Sequence, residues 1–212
     1  MKGRTLMEKL IALSFDDGPN TTATVKTLDV LEKHGVRASF FLISNNINEE
    51  STAMVRRALS LGCDIQNHSR THCDMTKLTA EQIADEIRYT DEKITEITGK
   101  VPTFFRPPYI CVNDTMYDTI DKPFICGIGS EDWEHDITAE EVYRRALERA
   151  CPGAIMLLHD SPDNDHTYIA VDMLIPELKK QGYTFVTVPE IFERSGIVPQ
   201  TGKMYSTVYD HK

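Results

Sequence analysis

Seven times along this chain of 212 residues, a short apolar run rich in β-branched and aromatic residues gives way to a longer stretch with the period of an amphipathic helix. The apolar runs cover residues 10–15, 38–44, 64–67, 103–106, 124–129, 154–158 and 184–188. The helical stretches cover about 22–34, 50–61, 79–98, 113–120, 138–150, 167–181 and 189–194, and Thr79-x-x-Gln82 and Thr138-x-x-Glu141 read as capping boxes. A helix between two strands carries the chain back to the end it started from, so the strands are predicted to be parallel. The sequence has no Gly-x-Gly-x-x-Gly phosphate loop and no composition break that would mark a linker. The expectation is therefore one α/β domain over residues 1–212, a barrel of βα units with its core at about 9–194 and a polar tail over 197–212.

Charge narrows the partners. Lys plus Arg number 23 against 33 for Asp plus Glu, a net charge of −10, which disfavours nucleic acid and anionic membrane surfaces and suits a neutral or cationic substrate. No apolar run approaches the roughly 18 residues a membrane span needs, and the opening MKGRTLMEKLIALSF lacks the form of a secretion signal. The expectation is a cytoplasmic protein, or a secreted one whose signal is missing from this sequence. Five cysteines with no Cys-x-x-Cys pair argue against a disulfide framework and against a thiolate zinc site.

Barrels of this kind carry their chemistry at the carboxyl ends of the strands, so the residues after each apolar run are the informative ones. The first run ends in Asp16-Asp17 and the third in Asn67-His68-Ser69-Arg70-Thr71-His72. The fourth leads into Arg106-Pro107-Pro108-Tyr109, the fifth into Glu131-Asp132-Trp133, and the sixth into His159-Asp160. A turn alone would need only one of the paired aspartates, and adjacent carboxylates repel, a cost that goes with a bound cation or acid–base work. His68 and His72, four apart, would point the same way on a helical turn; one carboxylate from the first strand completes a set for Zn²⁺, Co²⁺ or another first-row ion. The other aspartate is then free to act as a base. Two prolines after Arg106 stiffen a loop that could aim a guanidinium at a carboxylate and a backbone N–H at a substrate oxygen. A period of two puts Ile155, Leu157 and His159 on one face, with Asp132 available to keep His159 protonated. Trp133 reads equally as core or as a pocket wall.

Taken in order, SFDDGP, HSRTH, RPPY, EDW and LLHD resemble the five motifs of the polysaccharide deacetylases, carbohydrate esterase family four, over about residues 9–194. The resemblance implies a distorted (β/α)7 barrel that removes acetyl groups from carbohydrate: N-acetyl from chitin or peptidoglycan sugars, or O-acetyl from xylan. It also implies one divalent transition ion, zinc first and cobalt, nickel or manganese otherwise, held by Asp17, His68 and His72. On that reading Asp16 is the general base oriented by Arg106, and His159 is the general acid supported by Asp132. The Tyr109 backbone N–H would stabilise the oxyanion, and Leu157 and Trp133 would line the acetyl pocket. Ile110 stands where the family often has Gly, Gly129 where it often has Asp, and Cys126 where it usually has Trp, departures that bear on substrate and loop shape. The segments around His72–Leu78 and His159–Pro162, with Thr167, look most like acetylxylan esterases. The alternatives are a small-amide hydrolase on the same barrel and a catalytically silent carbohydrate-binding protein.

Overall fold

The computed structural model describes residues 8–210. It is a distorted (β/α)7 barrel centred on β1 (Lys9–Asp16). Along one edge β1 pairs with β6 (Ala154–His159) from Ile11 to Asp16. Its other edge is shared: β7 (Tyr183–Val186) pairs with residues Lys9 to Ala12, and β2 (Ser39–Leu42) with Ser14 to Asp16. β3 (Asp64–Asn67) pairs with β2, and every strand pair in this sheet is parallel, as the strand–helix alternation requires.

Two of the expected strands take a different form. Residues 103–106 make only a bridge at Phe105, to Asn67 on one side and Phe124 on the other. Pro102 and Pro107 frame the segment and have no N–H to give a ladder, and the Gln66 side chain takes the N–H groups of Thr103 and Phe104 instead. The run 124–129 is broken into β4 (Phe124–Ile125) and β5 (Ile128–Gly129) by Cys126-Gly127, where Gly127 takes φ +81°. β5 pairs with β6, whereas β4 turns toward Phe105, which leaves a gap between β4 and β6.

The segment read as a polar tail fills that gap. β8 (Met204–Tyr205) pairs with β4, the Tyr205 carbonyl accepts from the N–H groups of Cys126 and Gly127, and the Ser206 carbonyl accepts from Ile155. Tyr205 and Val208 are buried against Phe104, Ile125, Ile155 and Phe192. Polar neighbours hid a short apolar pattern that completes the barrel wall.

Among the described residues seven α-helices cover the outside: α1 (Ala23–His34), α2 (Glu49–Ser60), α3 (Ala80–Thr98), α4 (Asp114–Thr119), α5 (Ala139–Arg149), α6 (Asp165–Lys180) and α7 (Val188–Ser195). The Thr79–Gln82 capping box forms, and so do boxes at Asn48–Ser51 and Thr187–Glu190. At Thr138 only one arm forms, because the Glu141 carboxylate binds Arg144 and Arg145 instead of returning to the cap. The period of two splits the core. Ile11, Leu13, Phe15, Met156 and Leu158 face the helices, while Leu10, Ala12 and Ile155 face the barrel interior with Phe41 and Phe104. Ser14, Asp16, Leu157 and His159 continue the inward rows toward the carboxyl ends. No helix among the described residues is long and apolar enough to cross a membrane.

Candidate active site

Asp16 is the last residue of β1 and points inward by the strand's alternation. Asp17 would by the same rule point out, but it lies in the left-handed region at φ +78°, which turns its carboxylate back to the same rim. Both carboxylates therefore reach one site, and each is held by different partners. Asp17 Oδ2 accepts from Ser161 Oγ at 2.8 Å, and the Asp17 carbonyl accepts from Asn46 Nδ2 at 2.7 Å. Asp17 Oδ1 is buried without a hydrogen-bond partner, 3.6 Å from His68 Nε2 and 3.5 Å from His72 Nε2.

The two imidazoles do not sit on a helical turn. Residues 68–72 form an irregular loop in which Ser69 (φ +69°) and His72 (φ +57°) are left-handed, and the His72 N–H donates to Ser69 Oγ. This bend brings the ring centroids to 4.9 Å. His68 is buried, and its Nδ1 donates to the Arg106 carbonyl at 2.7 Å, an assignment that follows because a carbonyl can only accept. Its Nε2 lone pair is thereby turned toward Asp17.

These atoms fit a cation. One ligand atom each from Asp17, His68 and His72 falls within 4.8 Å of the others, and a buried carboxylate oxygen with no hydrogen-bond partner among the described residues, set between two imidazole nitrogens, is a donor set suited to a divalent cation. Burial alone would raise the Asp17 pKa, but nearby His68 and His159, the Ser161 bond and His72 outweigh it and hold it below the usual carboxylate range. Burial and the charge of His68 lower the pKa of His72, favouring the neutral, ligating form.

Asp16 is anchored by Arg106, a guanidinium with no exposed surface. Its Nη1 donates to Asp16 Oδ1 at 2.5 Å, its Nη2 to Ser14 Oγ at 2.8 Å and its Nε to the Ile125 carbonyl at 3.2 Å, and it stacks 4.2 Å from the Phe41 ring. Asp16 Oδ2 is left facing His68 at 3.6 Å. Ser14 was not singled out in the sequence, although its place two residues before Asp16 in an apolar strand was the signal.

Across the groove, Asp132 is fully buried and its carboxylate accepts three bonds: from His159 Nδ1 and the His159 N–H, both at 2.8 Å, and from Thr167 Oγ1 at 2.7 Å. Burial alone would lower the His159 pKa, but the Asp132 charge and hydrogen bond, with Asp16 and Asp17 adding to them, push it up to about 9. His159 at neutral pH is an imidazolium with its Nε2 proton available.

One groove of about 900 Å³ is lined by Asp16, Asp17, His68, His72, Asp132 and His159, with Leu157 in its wall and Tyr109 and Trp133 at its edges. Trp133 is 55% exposed and its ring lies 5.5 Å from His159, so it is a groove wall and no core residue. Tyr109, 65% exposed at φ +58°, packs its ring edge-on at 4.6 Å from His72. Nine of the ten residues singled out in the sequence line this groove, and the tenth, Arg106, is buried behind Asp16. Ile110 is left-handed too, at φ +55°, a costly conformation for a β-branched side chain. At Gly129 a Cβ would come within 3.1 Å of the Trp133 ring, so the departure from Asp at this position is what lets the indole lie over the strand.

Known proteins share this fold. The polysaccharide deacetylase family matches residues 3–122. A bifunctional xylanase/deacetylase of Pseudobutyrivibrio xylanivorans is 47% identical over 205 residues, 96% of this chain and 34% of that protein. The chain thus spans about a third of the length of that relative. Peptidoglycan-N-acetylglucosamine deacetylases are among the more distant relatives. The Xyl-CE4 domain of a multidomain xylanase from the hindgut metagenome of Trinervitermes trinervoides is 45% identical, with a TM-score of 0.93 over 95% of this chain and 98% of that one. A family 4 acetyl xylan esterase from Clostridium thermocellum, in complex with a cobalt ion, is 36% identical, with a TM-score of 0.92 over 95% of this chain and 100% of that one. Sequence and barrel agree, and the chain belongs to the polysaccharide deacetylase family.

Proposed function

We propose that this chain is a metal-dependent carbohydrate deacetylase that takes O-acetyl esters on xylan or xylooligosaccharides at least as well as N-acetyl groups on chitooligosaccharides. One observation carries the reading. A carboxylate with a bare buried oxygen (Asp17), a second carboxylate locked by a buried arginine (Asp16) and an imidazole held charged by a buried aspartate (His159) open into one groove.

Asp17, His68 and His72 would hold the ion, for which we propose zinc, with cobalt, nickel or manganese as substitutes. When bound, such an ion acts as a Lewis acid that lowers the pKa of water and polarises the acetyl carbonyl. Asp16 accepts the proton of the attacking water, and Arg106 with Ser14 keeps its carboxylate from rotating away. The Tyr109 backbone N–H stabilises the oxyanion, and Leu157 meets the acetyl methyl with Trp133 beside it. His159 gives its Nε2 proton to the departing sugar oxygen or amine, while Asp132 retains Nδ1–H and stabilises the charged ring beforehand.

Three points support the substrate class. A xylanase/deacetylase and a xylanase's esterase domain, at 47% and 45% identity, are more similar to this chain than a peptidoglycan deacetylase at 36%, and the acetyl xylan esterase, also 36% identical, has a TM-score of 0.92 against 0.82 for a solved peptidoglycan deacetylase. Exposed Glu134 and Asp163 line the groove, and together with a net charge of −10 they disfavour an anionic wall polymer. An ester carbonyl is also more electrophilic than an amide, and an alkoxide leaves more easily than an amine. Acetate release measured side by side on acetylxylan, chitopentaose and peptidoglycan tests the reading. Preference for peptidoglycan with little action on xylan would overturn the substrate class; sugar binding with no acetate from any of the three would favour the silent binding protein.

A further inference from the structure

The mechanism above leaves one buried carboxylate without a part. Asp160 follows the proposed acid, has no exposed surface and carries no ion pair among the described residues, yet it binds Asp16, Gly18 and Asn20 of the Asp16–Asn20 turn. Its N–H donates to the Asp16 carbonyl at 3.1 Å, and its own carbonyl accepts from Asn20 Nδ2 at 2.5 Å. Its Oδ1 accepts the Gly18 N–H at 3.1 Å, and its Oδ2 accepts Thr24 Oγ1 from the first turn of α1. The Gly18 carbonyl is held from the other side by the Ile43 N–H at 3.0 Å. The peptide units on both sides of Asp17 are thus held by Asp160, the first through its N–H and the second through its carboxylate, and the next unit, Gly18–Pro19, is held by the end of β2.

The fit is close enough to dictate sequence. A Cβ on Gly18 would lie 2.8 and 2.9 Å from the two Asp160 oxygens, a distance real Cβ atoms do not tolerate. Gly18 is required because the Asp160 carboxylate occupies the space, and Asp17 is left-handed at φ +78° within the turn so held. Without the carboxylate, the buried Gly18 N–H and Thr24 hydroxyl lose their acceptor, and the turn gains room to relax toward an ordinary conformation that swings Asp17 away from the imidazoles.

We propose that Asp160 is a positioning residue for the cation site, acting through the Gly18 N–H to keep Asp17 turned toward His68 and His72. The inference rests on the metal-site reading above. It does not involve Asp160 in proton transfer, since the carboxylate is closed off by Thr24 and Gly18 and does not line the groove.

The test is Co²⁺ affinity of the full chain, by calorimetry and by the visible absorption of the bound ion, with circular dichroism as the check on folding. Loss of an orienting partner of this kind costs about 10- to 100-fold in metal affinity. Asp160→Ala is expected to bind Co²⁺ about tenfold or more weakly and to change the absorption envelope. Asp160→Asn, which keeps one acceptor for the Gly18 N–H, is expected to bind within a few-fold of the parent. Wild-type affinity in Asp160→Ala would overturn the proposal, as would an Asn variant as weak as the Ala variant, which would make charge and not the Gly18 bond the cause. Should Asp160→Ala not fold, Gly18→Ala forces the same separation from the other side, and unchanged Co²⁺ affinity there would overturn it equally. Failure of the parent chain to bind Co²⁺ would instead sink the metal-site reading.

Discussion

Replacing Asp132 by Asn probes the acid half of the site at its most polarised contact. In the parent, His159 rises from its ordinary 6.5 to about 9 against the pull of burial, with Asp132 its foremost support. An opposite charge at this distance moves a pKa by about 1–3 units. The amide also has the wrong polarity: with its oxygen kept where it accepts from the His159 N–H and Thr167, its NH₂ faces Nδ1 at 2.8 Å and favours the neutral ring. A fall of about two units, from 9 toward 7, leaves roughly a tenth of the rings protonated at pH 8 where nine-tenths were before. Acetate release at pH 8 should then drop about tenfold while the rate near pH 6 changes far less, pulling the alkaline limb to lower pH. Stability follows the same sign. A raised histidine pKa contributes stability that is present in full below about 6.5 and lost as pH rises through about 9, here roughly 3 kcal/mol, and most of that window should vanish in the mutant. Histidine NMR titration of the metal-free protein, with His159→Gln to assign the resonance, reads the shift directly. An alkaline limb and a His159 resonance that both stay put in Asp132→Asn would refute the reasoning.

Asp16→Asn should keep metal affinity within a few-fold and lower acetate release by about 10²- to 10⁴-fold, since the amide cannot take the water's proton; calorimetry beside a rate assay separates the two. His72→Ala should show the reverse order, losing Co²⁺ first, with activity partly restored at high metal concentration. Tyr205→Ala, which empties a buried place in the barrel wall between Ile125 and Phe192, should cost about 3–5 kcal/mol in urea unfolding, whereas a dispensable tail would cost almost nothing. Gly129→Ala should change the fluorescence of Trp133, the only tryptophan, because the added methyl meets its ring at 3.1 Å.

The site was legible because its residues stand at strand ends, where the period of two and the barrel geometry fix direction without help from the loops. Asp16, Leu157 and His159 are of this kind. Asp17, His72 and Tyr109 reach the groove only through left-handed backbone, which local spacing does not encode for non-glycine residues; the four-residue spacing that suggested His72 presumed a helical turn the loop does not form, and the roles of Asp17 and Tyr109 came from the family motifs. Ser161 and Asp160 were hidden for a related reason, since each acts across more than 140 positions of sequence on the turn after β1. On the fold side, β1 and β6 could be read from long apolar runs. The segment 103–106 could not be seen to fall short of a strand, because what displaces its ladder is one side chain, Gln66, from a neighbouring strand. The last stave escaped because two residues of β8 and one buried valine carry it inside a polar stretch.

The account stands most directly on a titration of metal-free protein with Zn²⁺, reading acetate release from an acetylated xylooligosaccharide. It predicts no release without metal, a rise that saturates at one equivalent, and no rise in a chain lacking His68 and His72. Release that persists undiminished after chelation, or that ignores the loss of both histidines, would contradict it.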